Sequence, residues 1–147
     1  MINRVVLAKF AIIFVALVAL SVVVAHMACI WVGPECFRAQ RAPLSIIESS
    51  KNGTWFAPLG TTLVSSLFLT CALYALSGGR MIRKLPFLNV VIYTIASICI
   101  ARALLVIPLL YLYPHLRSLF EIAAAIIWFT CGALLIWAYK SIQSGVS

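Results

Sequence analysis

Acidic residues are almost missing from this chain. Of its 147 residues only Glu35, Glu48 and Glu121 are acidic, there is no aspartate, and charged residues of both signs amount to 10%. Soluble domains carry roughly 25%. A chain this short, folded in water, leaves much of its surface wet, and so few charges cannot cover that surface. Lipid in place of water removes the difficulty, and the 65% hydrophobic content and mean hydropathy of +1.14 agree with it. The chain also has no CxxC pair, which excludes the usual zinc and dithiol redox motifs. With no His/Cys set at ligand spacing, neither a metal nor any other cofactor is expected.

What is present is basic. Eleven Lys and Arg give a net charge of +8. In a soluble protein this would point to nucleic acid, but here no basic cluster interleaves with exposed aromatics. The cations stand at the ends of apolar runs, where anionic lipid headgroups lie. Membrane lipid is therefore the expected partner, with a membrane protein or a second copy of the chain as a further one; nucleic acid is not.

Four apolar runs, each near the ~20 residues that span hydrocarbon, cover about 10–32, 56–76, 88–112 and 119–139. Within lipid every backbone group must find its partner inside its own segment, so such runs are helical. The expected fold is all-α, a polytopic four-helix transmembrane bundle forming one domain over 1–147. The first run has a basic start and small residues at Ala25 and Ala28, as a signal peptide has. It is long for that purpose, and His26-Met27-Ala28-Cys29 lacks the aliphatic residue that starts a lipoprotein box, so it is read as a span. Ser77-Gly78-Gly79 should stop the second helix. Pro108 should kink or end the third, and Asn89 should cap its start. The connection 33–55 is the longest, with a short amphipathic turn expected at Leu44-Ser45-Ile46-Ile47.

Short loops rich in Lys and Arg stay in the cytoplasm. With the N-terminus inside, the inner side holds Arg4, Lys9, Arg80, Arg83, Lys84 and Lys140, the outer side Arg38, Arg41, Lys51 and Arg117. Both termini are thus expected in the cytoplasm and the 33–55 loop outside. Trp31, Trp55, Phe56, Tyr111 and Tyr113 then mark the outer boundary, and Tyr74, Trp137 and Tyr139 the inner one. Cys71, Cys99 and Cys131 lie within apolar runs, where a thiol acts as a small hydrophobe. Only Cys29 and Cys36 are near enough to meet, in an oxidising compartment; two separate thiols are the expectation.

Few residues carry chemistry. Arg102 lies in the third run, where a charge costs about 2.5–3.5 kcal/mol, so it is expected to face protein and to pair. If that helix ended at Pro108, the side chain would instead be near enough to the boundary to snorkel. Glu121, in the first turn of the fourth helix where the dipole favours an anion, is its natural partner. His26 enters the same outer half and is expected to hydrogen-bond rather than to bind metal. Thr62, Ser66, Thr70 and Tyr74, spaced by four, form a polar stripe expected to face neighbouring helices. In the fourth helix Glu121, Ala125, Trp128, Gly132, Leu135 and Tyr139 form a heptad-like seam with small residues. The Gly78–Lys84 loop lacks P-loop spacing, so Arg80, Arg83 and Lys84 are assigned to headgroup contact. No catalytic residue is assigned, because nothing in the spacing sets a base beside a nucleophile.

Several stretches resemble a group of short four-helix bacterial inner-membrane proteins that is uncharacterised. They are His26, Gly33-Pro34-Glu35-Cys36-Phe37-Arg38, Tyr74-Ala75-Leu76-Ser77-Gly78, Leu85-Pro86 and Arg102-Ala103-Leu104 with Pro108. The resemblance implies a bacterial inner membrane and no particular activity. The expected role is a non-catalytic accessory, scaffold or lipid-interacting component rather than an enzyme. The alternatives are a small-molecule carrier with Arg102 as its anion site, and an enzyme acting on a lipid or isoprenoid through His26 or Glu121.

Overall fold

The computed structural model describes residues 2–113 and 118–145. Pro114, His115 and Arg117, which the sequence places in the outer connection, lie outside the described residues. The described residues are helical and contain no strand: α1 Ile2–Val32, α2 Pro34–Ala39, α3 Leu44–Lys51, α4 Phe56–Gly78, α5 Leu88–Leu112 and α6 Leu119–Ser144. Four of these, α1, α4, α5 and α6, are long and apolar enough to cross a membrane. This is a multi-pass membrane protein.

The spans outrun the apolar runs at their ends, because a helix continues through polar residues once water or headgroups satisfy its last groups. α1 begins eight residues before Phe10, and α6 continues past Tyr139 to Ser144. Pro108 lies inside α5, which runs on to Leu112. Proline removes one backbone donor, and here that does not end the helix. Asn89 does not cap α5. Phe87 is the N-cap residue, with no side-chain cap, and the Asn89 side chain is used elsewhere.

The chain divides into two compact units, one of Met1–Ala16 with Leu73–Ser147, the other of Leu17–Ala72. In the first, α5 packs along α6. The buried line of α5, Leu88, Ile92, Ala96, Ala103 and Val106, follows steps of three, four and seven, the pattern of a helix seam. On α6 the seam residues Gly132, Leu135 and Tyr139 are buried, and Glu121, Ala125 and Trp128 are half-buried. Gly132 sets the approach: a Cβ there would lie 2.9 Å from Ala96 O and 2.7 Å from Ile100 Cγ1. In the same unit the start of α1 meets the ends of α4 and α6. A Cβ on Gly79 would lie 2.8 Å from Ile12 Cγ2, and one on Gly145 2.8 Å from Val5 Cγ2.

In the second unit α2 packs on α3, and Cys29, Phe37, Ile47 and Ala57 bury one another. The connection expected to hold one amphipathic turn thus has a small core of its own. Ser49, buried at the end of α3, accepts a bond from Ala57 N at 2.8 Å and bonds Thr54 Oγ1 at 2.6 Å, satisfying one open donor at the start of α4. Cys29 and Cys36 are joined in a disulfide, against the expectation of two thiols. The α1–α2 corner at Gly33 turns the chain back and brings the two sulfurs together.

Candidate functional site

The Thr62, Ser66 and Thr70 stripe is exposed, so it does not face neighbouring helices as expected. Each hydroxyl donates at 2.8 Å to the carbonyl four residues earlier, Pro58, Thr62 and Ser66 respectively, and needs no second helix. A four-residue step rotates about 40° around a helix, so the line drifts until Tyr74 is half-buried. The packed line of α4 lies one residue earlier, at Ala57, Thr61, Ser65, Ala72 and Ala75. Small residues at those positions allow close approach. Thr61 Oγ1 donates to Ala57 O at 2.7 Å, whereas buried Ser65 Oγ has no hydrogen-bond partner among the described residues.

His26 belongs to the unit Leu17–Ala72. Its Nδ1 stands 3.0 Å from Val22 O; a carbonyl only accepts, so Nδ1 carries the proton. The ring leans on Phe68 with centroids 5.9 Å apart. Both contacts hold the ring in place. No group of three or more His, Cys, Asp or Glu side chains able to hold a metal occurs among the described residues.

Arg102 and Glu121 belong to the other unit. Arg102 Nη2 lies 3.8 Å from Glu121 Oε2, with side chains 53% and 17% exposed. Ser118 is the N-cap of α6, its Oγ accepting from Glu121 N at 3.2 Å, the Ser-x-x-Glu spacing of a capping box. The cap fixes the backbone of Glu121 at the helix start, and the guanidinium approaches its carboxylate. With α5 running to Leu112, Arg102 lies about 15 Å short of the helix end.

The end of this unit that carries the Arg80–Lys84 loop is more built. α4 closes in a Schellman motif, Met81 N donating to Leu76 O at 3.0 Å and Arg80 N to Ser77 O at 3.1 Å. The left-handed position of that motif normally takes glycine. Here it is Arg80, with φ 57°. Gly79 falls one residue too early and is needed against Ile12. A left-handed conformation costs a non-glycine residue roughly 1–2 kcal/mol.

The loop that follows is pinned to α4. Ser77 Oγ donates to Arg83 O at 3.1 Å and accepts from Leu85 N at 3.0 Å, and Tyr74 OH donates to Pro86 O at 3.1 Å. Tyr139 is buried; its hydroxyl donates to Asn89 Oδ1, and its ring meets Tyr93 edge-on at 6.1 Å. Around these lies a hollow of about 310 Å³ lined by Ser77, Gly78, Arg80, Ile82, Lys84, Leu88, Tyr139 and Gln143. The sequence marked Arg80, Arg83 and Lys84 by charge alone. It gave no sign of Ser77 as the pin, because a serine before two glycines reads as a helix stop, nor of Gln143, which lies beyond the apolar run.

Residues 8–76 match the family described as "Protein of unknown function (DUF2905)". That family is uncharacterised. The DUF2905 match takes in His26, the disulfide and the hydroxyl stripe, and stops short of the Arg80–Lys84 loop, Arg102 and Glu121. No curated protein and no solved structure matches the chain.

Proposed function

We propose that the protein is a non-catalytic component of a bacterial inner membrane, with both termini in the cytoplasm, that works through contact with anionic lipid at its inner end. One observation carries this reading: within the unit Met1–Ala16 and Leu73–Ser147 most of the cations gather at one end, Arg102 standing apart beside Glu121. The ends of α1, α4 and α6 bring Arg4, Lys9, Arg80, Arg83, Lys84 and Lys140 to it, and its one acidic side chain is Glu121, at the opposite end of α6. Anionic headgroups are the neutralising charge that a membrane supplies, at about 1 kcal/mol per cation near the surface. Exposed Met81, Ile82 and Phe87 stand among these cations and give the loop apolar anchors. The disulfide at the far end of α1 supports the same orientation, since disulfides persist in oxidising compartments.

The test is reconstitution of the wild-type chain in nanodiscs of phosphatidylcholine alone or with phosphatidylglycerol. Retention of the anionic lipid above its bulk fraction, and a higher unfolding temperature with it, are the expected results. Equal behaviour in both bilayers would end the proposal.

A second reading, a carrier with Arg102 as anion site, draws on one feature. Arg102 is half exposed and meets its carboxylate at 3.8 Å through one nitrogen, which leaves donors for a ligand.

A further inference from the structure

Within the basic inner end one position is placed more specifically than a lipid-facing patch requires. A diffuse patch gains nothing from a fixed side chain, and flexible lysines on a mobile loop would serve it. Here the loop is fixed at Arg83 O and Leu85 N by Ser77 and at Pro86 O by Tyr74. An arginine, moreover, occupies the backbone position that glycine fills most easily, and it is one of the residues that line a hollow. Glycine there would relax the backbone and lose only the charge.

The lining sets the ligand chemistry. Ser77 already donates to Arg83 O, and Tyr139 to Asn89, so neither hydroxyl proton is available. The donors left are the Arg80 guanidinium, the Lys84 ammonium and the Gln143 amide, all on exposed residues. Glu121, the unit's one acidic side chain, is on the same helix as Gln143 but 22 residues away, about 33 Å, so no acidic side chain among the described residues of this unit competes. Two cations and an amide without a counter-ion fit a tetrahedral oxyanion, which a planar guanidinium grips with paired bonds. The volume, about 310 Å³, is at the small end of ligand sites and suits a headgroup. Ile82 and Leu88 supply an apolar side.

We propose that the hollow between the end of α4 and the end of α6 is a phosphate-binding site, with Arg80 as its principal ligand and Lys84 and Gln143 beside it. It rests on the lipid reading above and narrows it to one site. The phosphate comes from a lipid headgroup or from a soluble phosphate ester.

The test uses the full chain in phosphatidylcholine nanodiscs with two probes: phosphatidic acid in the bilayer, and glycerol phosphate in solution, each followed by native mass spectrometry. The variants are Arg80→Gly, Lys84→Gln and, as an equal charge loss outside the hollow, Lys140→Gln. Binding of either probe that falls at least tenfold in Arg80→Gly and less than threefold in Lys140→Gln supports the site, and the probe that binds names the source. Arg80→Gly should also unfold at the same or a higher temperature, which separates lost charge from lost fold. Equal loss in Arg80→Gly and Lys140→Gln, with lipid preference kept, would overturn the site and leave the broader reading standing. Binding of neither probe to the wild type would overturn the site, and no anionic preference in the wild type would remove the broader reading.

Discussion

Arg102 and Glu121 face each other across the α5–α6 pair, Nη2 to Oε2 at 3.8 Å, in a segment where neither charge is at home alone. The carboxylate is the better buried of the two, and the Glu121 backbone N–H donates to the Ser118 cap. With the guanidinium half exposed, the pair should contribute no more than about 1 kcal/mol of coupling. In a double-mutant cycle, Arg102→Gln and Glu121→Gln should each lower the unfolding temperature, and the double variant should be no worse than either. A carrier would behave differently: Arg102→Gln would abolish ligand uptake in vesicles and leave the folded protein unchanged.

Gly132 should tolerate no larger side chain. Its missing Cβ is what allows α6 to approach Ala96 O and Ile100. Gly132→Leu drives a side chain into a packed seam and should cost about 1–3 kcal/mol, read as a lower denaturation midpoint in detergent micelles.

The hydroxyl stripe separates an exposed face from a packed one. Thr62→Val, Ser66→Ala and Thr70→Val remove bonds that each helix makes to itself, and together they should shift stability by less than about 1 kcal/mol, as surface changes do. Ser65→Leu, one residue away on the packed line, should cost about 1–3 kcal/mol by overpacking. A loss in the first set comparable to that in Ser65→Leu would mean that the stripe is covered.

The disulfide is open to counting. Alkylation of the denatured, unreduced protein should modify Cys71, Cys99 and Cys131, and Cys29 and Cys36 should react only after reduction. Cys29→Ser with Cys36→Ser should lower stability by about 2–4 kcal/mol, since the bridge ties α1 to α2 beside the small core of Phe37, Ile47 and Ala57.

The four spans were legible because length and apolarity fix them locally: each run reports its own helix without reference to its neighbours. Pairing of Arg102 with Glu121 was legible too, since adjacent antiparallel helices and a single nearby acid leave few options. Which face of α4 packs was not. Serine and threonine at 61, 62, 65 and 66 give two overlapping lines, and a hydroxyl that bonds its own helix carries no sign of where it points. Arg80 was visible only as a charge. Its left-handed backbone depends on Gly79 being needed against Ile12, a contact between residues 67 positions apart. Likewise Asn89 looked like a cap because capping is local, and its partner Tyr139 comes from another helix.

Side-selective labelling of single cysteines on either side of α4 decides most directly whether that helix crosses the membrane with its basic end inside. With Cys71, Cys99 and Cys131 replaced and the disulfide kept, Asn52→Cys and Arg83→Cys are treated in intact cells with a membrane-impermeant maleimide. The expected result is that Asn52→Cys labels at once and Arg83→Cys labels only after permeabilisation. Labelling of Arg83→Cys in intact cells would contradict it: the basic loop would then face outward, or α4 would not cross at all.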